Sequence, residues 1–230
     1  MNQINISKNN VCSIGTLCHT AEVLNRCGIR KCAYPFDWVF SDLSVISDCL
    51  ETKFEKFLDK TYYAEPITKF NDRQSGHKIY HFDFFFHKNP KDKEEDYNYY
   101  VRCVNRFNTL LQNEEQKLFV VLFVPHATKH PTELFNLMNQ GQNSIENILL
   151  KTKNNLLDFN KCLEKYTKNF NLLSIFVTPN QSQNDYKISI ENNLHFLEVK
   201  TTSISNGIKF IQEVDNQYLD NVIKSIYNFI

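Results

Sequence analysis

The chain has 230 residues, 42% of them apolar and 13% aromatic, so it can bury a sizeable core and is not a disordered polypeptide. Lys+Arg and Asp+Glu are both 26, and a net charge of zero argues against the broad basic footprint of a nucleic-acid binder. No apolar run approaches the roughly 18 residues needed to span a bilayer, and the polar start MNQINISKNN lacks the apolar segment of a signal peptide.

Seven cysteines, an odd number without an export signal, imply free thiols in a reducing, cytoplasmic setting. The expected organisation is a single α/β domain over 1–230, with 1–10 as a flexible tail. NNVCSIG reads as a first strand ending at Gly15. Thr16 is a plausible helix N-cap, with Leu17, Ala21, Leu24 and Cys27 at helical spacing and Gly28 where a C-terminal glycine belongs. Leu43–Asp59 reads as one amphipathic helix.

Lys78–Lys88 alternates strictly, which predicts a strand with Tyr80, Phe82, Phe84 and Phe86 on the apolar side and His81, Asp83, Phe85 and His87 on the other. A charged connection then leads to a helix over Tyr97–Gln112 carrying Arg102 and Arg106 on one face. Lys117–Pro125 and Asn171–Thr178 are continuous apolar runs, the pattern of strands buried on both faces in a parallel sheet. One or two helices are expected over Asn143–Lys168, a loop over Thr178–Lys187, an edge strand at Leu194–Lys200 and a closing helix over Ile208–Ile230. Alternating strands and helices predict an α/β layered, mainly parallel sheet flanked by helices.

Cys18 is the first residue to carry possible chemistry. In the first turn of a helix that follows a strand, the free N–H groups and the dipole favour a thiolate. The bland alternative is a small core residue. A cysteine nucleophile needs an imidazole base and a group to orient it. His81 supplies the first, and Asp83 or Asp37 the second, although residues i and i+2 on a strand lie roughly 6.5–7 Å apart. His19 points around the helix from Cys18 and could line the same cleft. Tyr34–Trp38 reads as a rigid anchored turn. Arg102 and Arg106 could clamp a carboxylate or phosphate, or form a solvated face. The cysteines include no C-x-x-C pair, so no metal site is expected. With only five glycines and no phosphate-loop motif, no cofactor is implied.

The stretch CSIGTLCHTAEVLNRCGIRKCAYPFDWVFSD resembles the opening of a domain-of-unknown-function family described as putative papain-like cysteine peptidases. The residues carrying the resemblance are Ser13, Ile14, Gly15, Cys18, Ala21, Leu24, Gly28–Arg30 and Pro35–Trp38. It extends over roughly Val11 to Pro125, through HFDF, YVRCVNRFNTLL and KLFVVLFV. It implies Cys18 as a functional residue, leaves His81 and His87 both open as its histidine, and implies as an alternative architecture a papain-like α+β fold, a helix followed by an antiparallel sheet.

Three functions follow as expectations. The first is a cysteine hydrolase or transferase acting on an acyl or amide bond of a peptide or small molecule, with Cys18 attacking, His81 shuttling the proton and Asp37 or Asp83 fixing the imidazole. His19, His87, Arg102 and Arg106 would then be substrate-binding. The second is a Rossmann-like enzyme binding a nucleotide, sugar-nucleotide or phosphorylated metabolite. The third is a non-catalytic interaction module of viral or host-defence type.

Overall fold

A computed structural model describes residues 3–67, 73–125, 145–179 and 181–230. The strands are β1 (Ile4–Ile6), β2 (Val11–Ser13), β3 (Tyr63–Ala64), β4 (Ser75–His77), β5 (His81–Phe85), β6 (Lys117–Phe123), β7 (Phe170–Thr178), β8 (Asp185–Glu191), β9 (Leu194–Lys200) and β10 (Tyr227–Phe229). The helices are α1 (Cys18–Arg26), α2 (Leu43–Glu51), α3 (Glu55–Leu58), α4 (Glu94–Gln112), α5 (Ile145–Leu163) and α6 (Glu213–Ile226).

The central sheet has five strands in the order β2-β6-β7-β9-β8, parallel throughout except for the antiparallel β8. This is the α/β layered architecture that the buried runs at Lys117 and Asn171 imply. Because side chains alternate, β6 sends Phe119 and Val121 to one face and Leu118, Val120 and Leu122 to the other. The first face packs on α2, α3, α4, α5 and a small antiparallel sheet of β3, β4 and β5; the second packs on α1 and α6.

Several local readings are corrected. Thr16 does not cap α1: the N-cap is Leu17, with no side-chain capping bond, while Thr16 Oγ1 donates to the Leu122 carbonyl across the sheet. Gly28, at φ +71°, does follow the end of the helix. Leu43–Asp59 is two helices, broken where Lys53 and Phe54 adopt φ of 50° and 62° so that Phe54 turns into the core. The alternation over Lys78–Lys88 fails. Residues 78–80 form a turn, Phe82 is 46% exposed, and Phe84 and Phe85 are both buried, because β5 is covered on both sides.

The acidic stretch Glu94–Asp96, expected in a connection, is the first turn of α4, where carboxylates meet the positive end of the dipole. The expected edge strand, β9, is interior, since the polar, largely exposed β8 lies outside it. Ile208–Ile230 is not all helix. Its last residues form β10, which pairs in parallel with β1 inside the expected tail. No helix among the described residues is long and apolar enough to cross a membrane.

Candidate active site

β2 runs into Gly15, and the chain turns there to begin α1 at Cys18, beyond the carboxyl end of a parallel strand. Open α/β sheets place their sites at such strand ends. Gly15 has φ +79°, and a Cβ on it would fall 2.3 Å from Ser41 Oγ. Its carbonyl accepts from Thr20 Oγ1, and the Thr16 carbonyl accepts from the Ser41 N–H. The turn that presents Cys18 is therefore tied to α1, to β6 through Thr16, and to the segment around Ser41.

That segment also carries the second half of the site. Val39 bridges Phe85 in antiparallel fashion, and the Phe40 N–H donates to the Phe84 carbonyl. These bonds draw the end of β5 alongside residues 39–41 and bring the next residues over the start of α1. Beyond the site, Lys88 Nζ and the Asn89 N–H both donate to the Asp96 carboxylate in the first turn of α4.

The outcome is that Cys18 Sγ lies 3.3 Å from His87 Nε2. With the thiol donating to Nε2, the neutral imidazole carries its proton on Nδ1. Trp38 meets the His87 ring edge-on at 5.6 Å between centroids, and the Arg30 guanidinium lies over the Trp38 ring at 5.6 Å. Trp38 is thus part of the wall around the histidine rather than a core anchor; the anchor of its turn is the fully buried Phe36.

The electrostatics differ from the expected thiolate. Cys18 is 4% exposed, and burial pushes its thiol up to about 12, with the negative charge of Asp37 adding to the rise. Burial also lowers the half-buried His87 below the usual imidazole value. Desolvation is the largest influence on the thiol, ahead of the backbone hydrogen bond that lowers it, and both shifts favour the uncharged forms, a thiol beside an imidazole.

The other candidates are dispersed. His81 has no hydrogen bond to Cys18 among the described residues; its Nδ1 accepts from the Asp83 backbone N–H. Asp83 is buried beside it. Asp37 Oδ2 accepts from Arg30 Nε at 3.0 Å, from Arg30 Nη2 at 2.6 Å and from the Tyr34 N–H at 2.9 Å, so this oxygen serves the Tyr34–Trp38 turn. Burial still raises Asp37 to about 6. Arg30 is the partner that periodicity did not reveal.

His19 is not in the cleft. It is fully buried on the α6 side of α1, 2.9 Å from Ser205 Oγ and edge-on to Phe210, and burial lowers it to about 3. Arg102 and Arg106 are both exposed on α4, and Arg106 Nη1 donates to the Ala33 carbonyl. All seven cysteines are free, and no group of three or more metal-ligating side chains occurs among the described residues. A cleft of about 640 Å³ opens between α2 and α5 with Thr16 at its wall, but neither Cys18 nor His87 lines it.

A family model described as "Putative papain-like cysteine peptidase (DUF1796)" matches residues 9–169. That span contains both Cys18 and His87. No curated protein and no solved structure matches the chain.

Proposed function

The chain belongs to the family of putative papain-like cysteine peptidases, DUF1796, and on that premise we propose that it is a cysteine-nucleophile hydrolase or transferase acting on an acyl or amide bond. The observation that supports this reading is the 3.3 Å approach of Cys18 Sγ to His87 Nε2 across 69 residues of sequence. One partner comes from the start of a helix and the other from just beyond an antiparallel strand. On this reading a thiol–imidazole pair works beside a mainly parallel α/β sheet.

Because burial holds thiol and imidazole neutral, the proton moves as the sulfur attacks, not before. His87 Nε2 takes the thiol proton while Cys18 Sγ bonds to the carbonyl carbon, and the carbonyl π electrons pass to oxygen. The Thr20 N–H of the first turn of α1 already donates to the Leu17 carbonyl, which leaves the N–H groups of Cys18 and His19 as the natural donors for that oxyanion. Collapse breaks the acyl–leaving-group bond, and the His87 imidazolium returns its proton to the departing amine or alkoxide. The resulting thioester is cleared by water in a hydrolase or by another nucleophile in a transferase, with His87 again taking the proton. Trp38 and Phe86 flank the ring and limit its rotation, and among the described residues no carboxylate is hydrogen-bonded to it.

The test is a panel of peptide amides, esters and thioesters, together with an electrophilic acyl-ketone probe read by intact mass. Turnover or adduct formation that disappears in both Cys18→Ala and His87→Ala is the expected result. Activity retained in Cys18→Ala would overturn the reading.

A further inference from the structure

The outer side of the central sheet ends in β8, and β9 is its only strand neighbour among the described residues. Six of the seven β8 residues are exposed, with Tyr186 and Ile190 each 41% accessible. An antiparallel edge leaves the N–H and C=O groups of alternate residues directed outward and unpaired, a template for a further strand. Soluble proteins usually blunt such edges. This one is seven residues long, contains no proline and alternates apolar with polar residues.

We infer that β8 is the contact between two copies of this chain, joined antiparallel about a twofold axis at Ser189. The sequence DYKISIE selects that register. Residues facing each other across an antiparallel pair lie on the same side of the sheet, so the axis must pass through a residue. Centred on Ser189, Lys187 of each copy opposes Glu191 of the other, and Ile188 opposes Ile190. Centred one residue earlier, Asp185 would face Glu191. Centred on Lys187, two lysines would meet. Only the first of these sets Lys187 against an opposite charge and leaves no like charges facing, while Asp185 lies beyond those pairs beside Lys200 of its own chain; opposite-charge and β-branched cross-strand pairs are the favourable ones.

The neighbouring layers present matching surfaces. On one face, Tyr186 packs against Tyr218 of α6 at 6.5 Å between ring centroids, and Val214, one turn earlier on that helix, is 55% exposed. On the other, Lys153 of α5 reaches Glu198 of β9, the residue paired with Lys187. Helical periodicity puts Leu150 and Leu157 within about 60° of Lys153 around α5. They are 60% and 42% exposed. An apolar stripe on the flanking helix thus stands beside an open strand edge, and a second copy placed by the β8 register would cover both.

The experiment is sedimentation velocity and light scattering over a micromolar-to-submillimolar concentration series. Wild type should associate reversibly to a dimer. Glu191→Lys sets two lysine pairs face to face across the axis while its own cross-strand neighbour is the uncharged Leu194. It should weaken dimerisation roughly tenfold or more. Lys187→Glu should do the same, and mixing the two monomeric variants should restore association as a heterodimer, because every facing pair is then of opposite sign.

Ser189→Cys should cross-link under mild oxidation, since facing residues in an antiparallel pair have Cα atoms about 4.5–5.5 Å apart, within disulfide reach. Lys187→Cys should not. The Ser189→Cys arm decides the matter even if Lys187→Glu, whose side chain would face Glu198 of its own chain, fails to fold. A wild type that stays monomeric throughout, or a dimer indifferent to Glu191→Lys and not cross-linked at position 189, overturns the inference.

Discussion

Alkylation of Cys18 by iodoacetamide separates two resting states that would support the same chemistry. One is a preformed thiolate–imidazolium pair, which reacts at a rate nearly independent of pH down to the acidic range. The other is the neutral pair described above. Burial lifts the Cys18 thiol from the ordinary 9.0 to about 12. The thiolate fraction near neutrality therefore falls about a thousandfold below that of an ordinary thiol. A more basic thiolate is intrinsically more nucleophilic, with a Brønsted slope of about 0.4–0.5, which recovers a factor of roughly 15–30. The net expectation is alkylation at least about 30-fold slower than a free ordinary thiol, before the 4% exposure of Cys18 slows it further. The rate should climb about tenfold per pH unit through the alkaline range, and His87→Ala should change it little. Peptide mass mapping follows Cys18 separately from the other six cysteines, with the half-buried Cys32 as an internal comparison. A fast reaction with a plateau below pH 7 that collapses in His87→Ala would refute the neutral pair and show that the ionised pair outweighs desolvation.

Other perturbations test the frame around the site. His87→Ala should lower turnover of any acyl substrate by about 10²–10⁴, the usual worth of a general base, while His81→Ala should leave it within a few-fold of wild type; equal losses in both would place the base elsewhere. Asp37 titrates with its folded value raised from 3.8 to about 6, so its stabilising contribution is complete below about pH 4 and is lost as pH rises through 6. The loss is bounded by about 3 kcal/mol. Urea unfolding of wild type and Asp37→Asn should therefore show their stability gap moving in favour of the asparagine variant between pH 4 and 7.5, and a pH-independent gap would contradict the raised value. Gly15→Ala must adopt φ near +79° with a Cβ 2.3 Å from Ser41 Oγ. The backbone alone costs about 1–2 kcal/mol, so the melting temperature should fall. Adding Ser41→Ala should recover the part due to the clash, and no recovery would mean that the backbone carries the whole cost.

What could be read in the sequence follows a physical division. Lys117–Phe123 and Phe170–Thr178 announced a parallel sheet because burial on both faces leaves a continuous apolar run. Gly15, Cys18 and Gly28 announced a strand–turn–helix because the signals are local. The choice between His81 and His87 was not local. Both lie on or near one short strand, and the Val39–Phe85 bridge with the Phe40–Phe84 hydrogen bond sets which of them reaches Cys18. No periodicity within Lys78–Lys88 encodes that contact. The same strand defeated the alternation rule because β5 is enclosed on both sides, so Phe84 and Phe85 are both core residues despite pointing in opposite directions. The thiol shows the division most clearly. Position at a helix start is a property of sequence and lowers a pKa, whereas desolvation sums over every atom packed around the sulfur and raises it. At Cys18 the second effect is the larger, so on the proposed reading the thiol keeps its proton at rest and gives it up to His87 only as it attacks substrate, rather than losing it in advance to the helix.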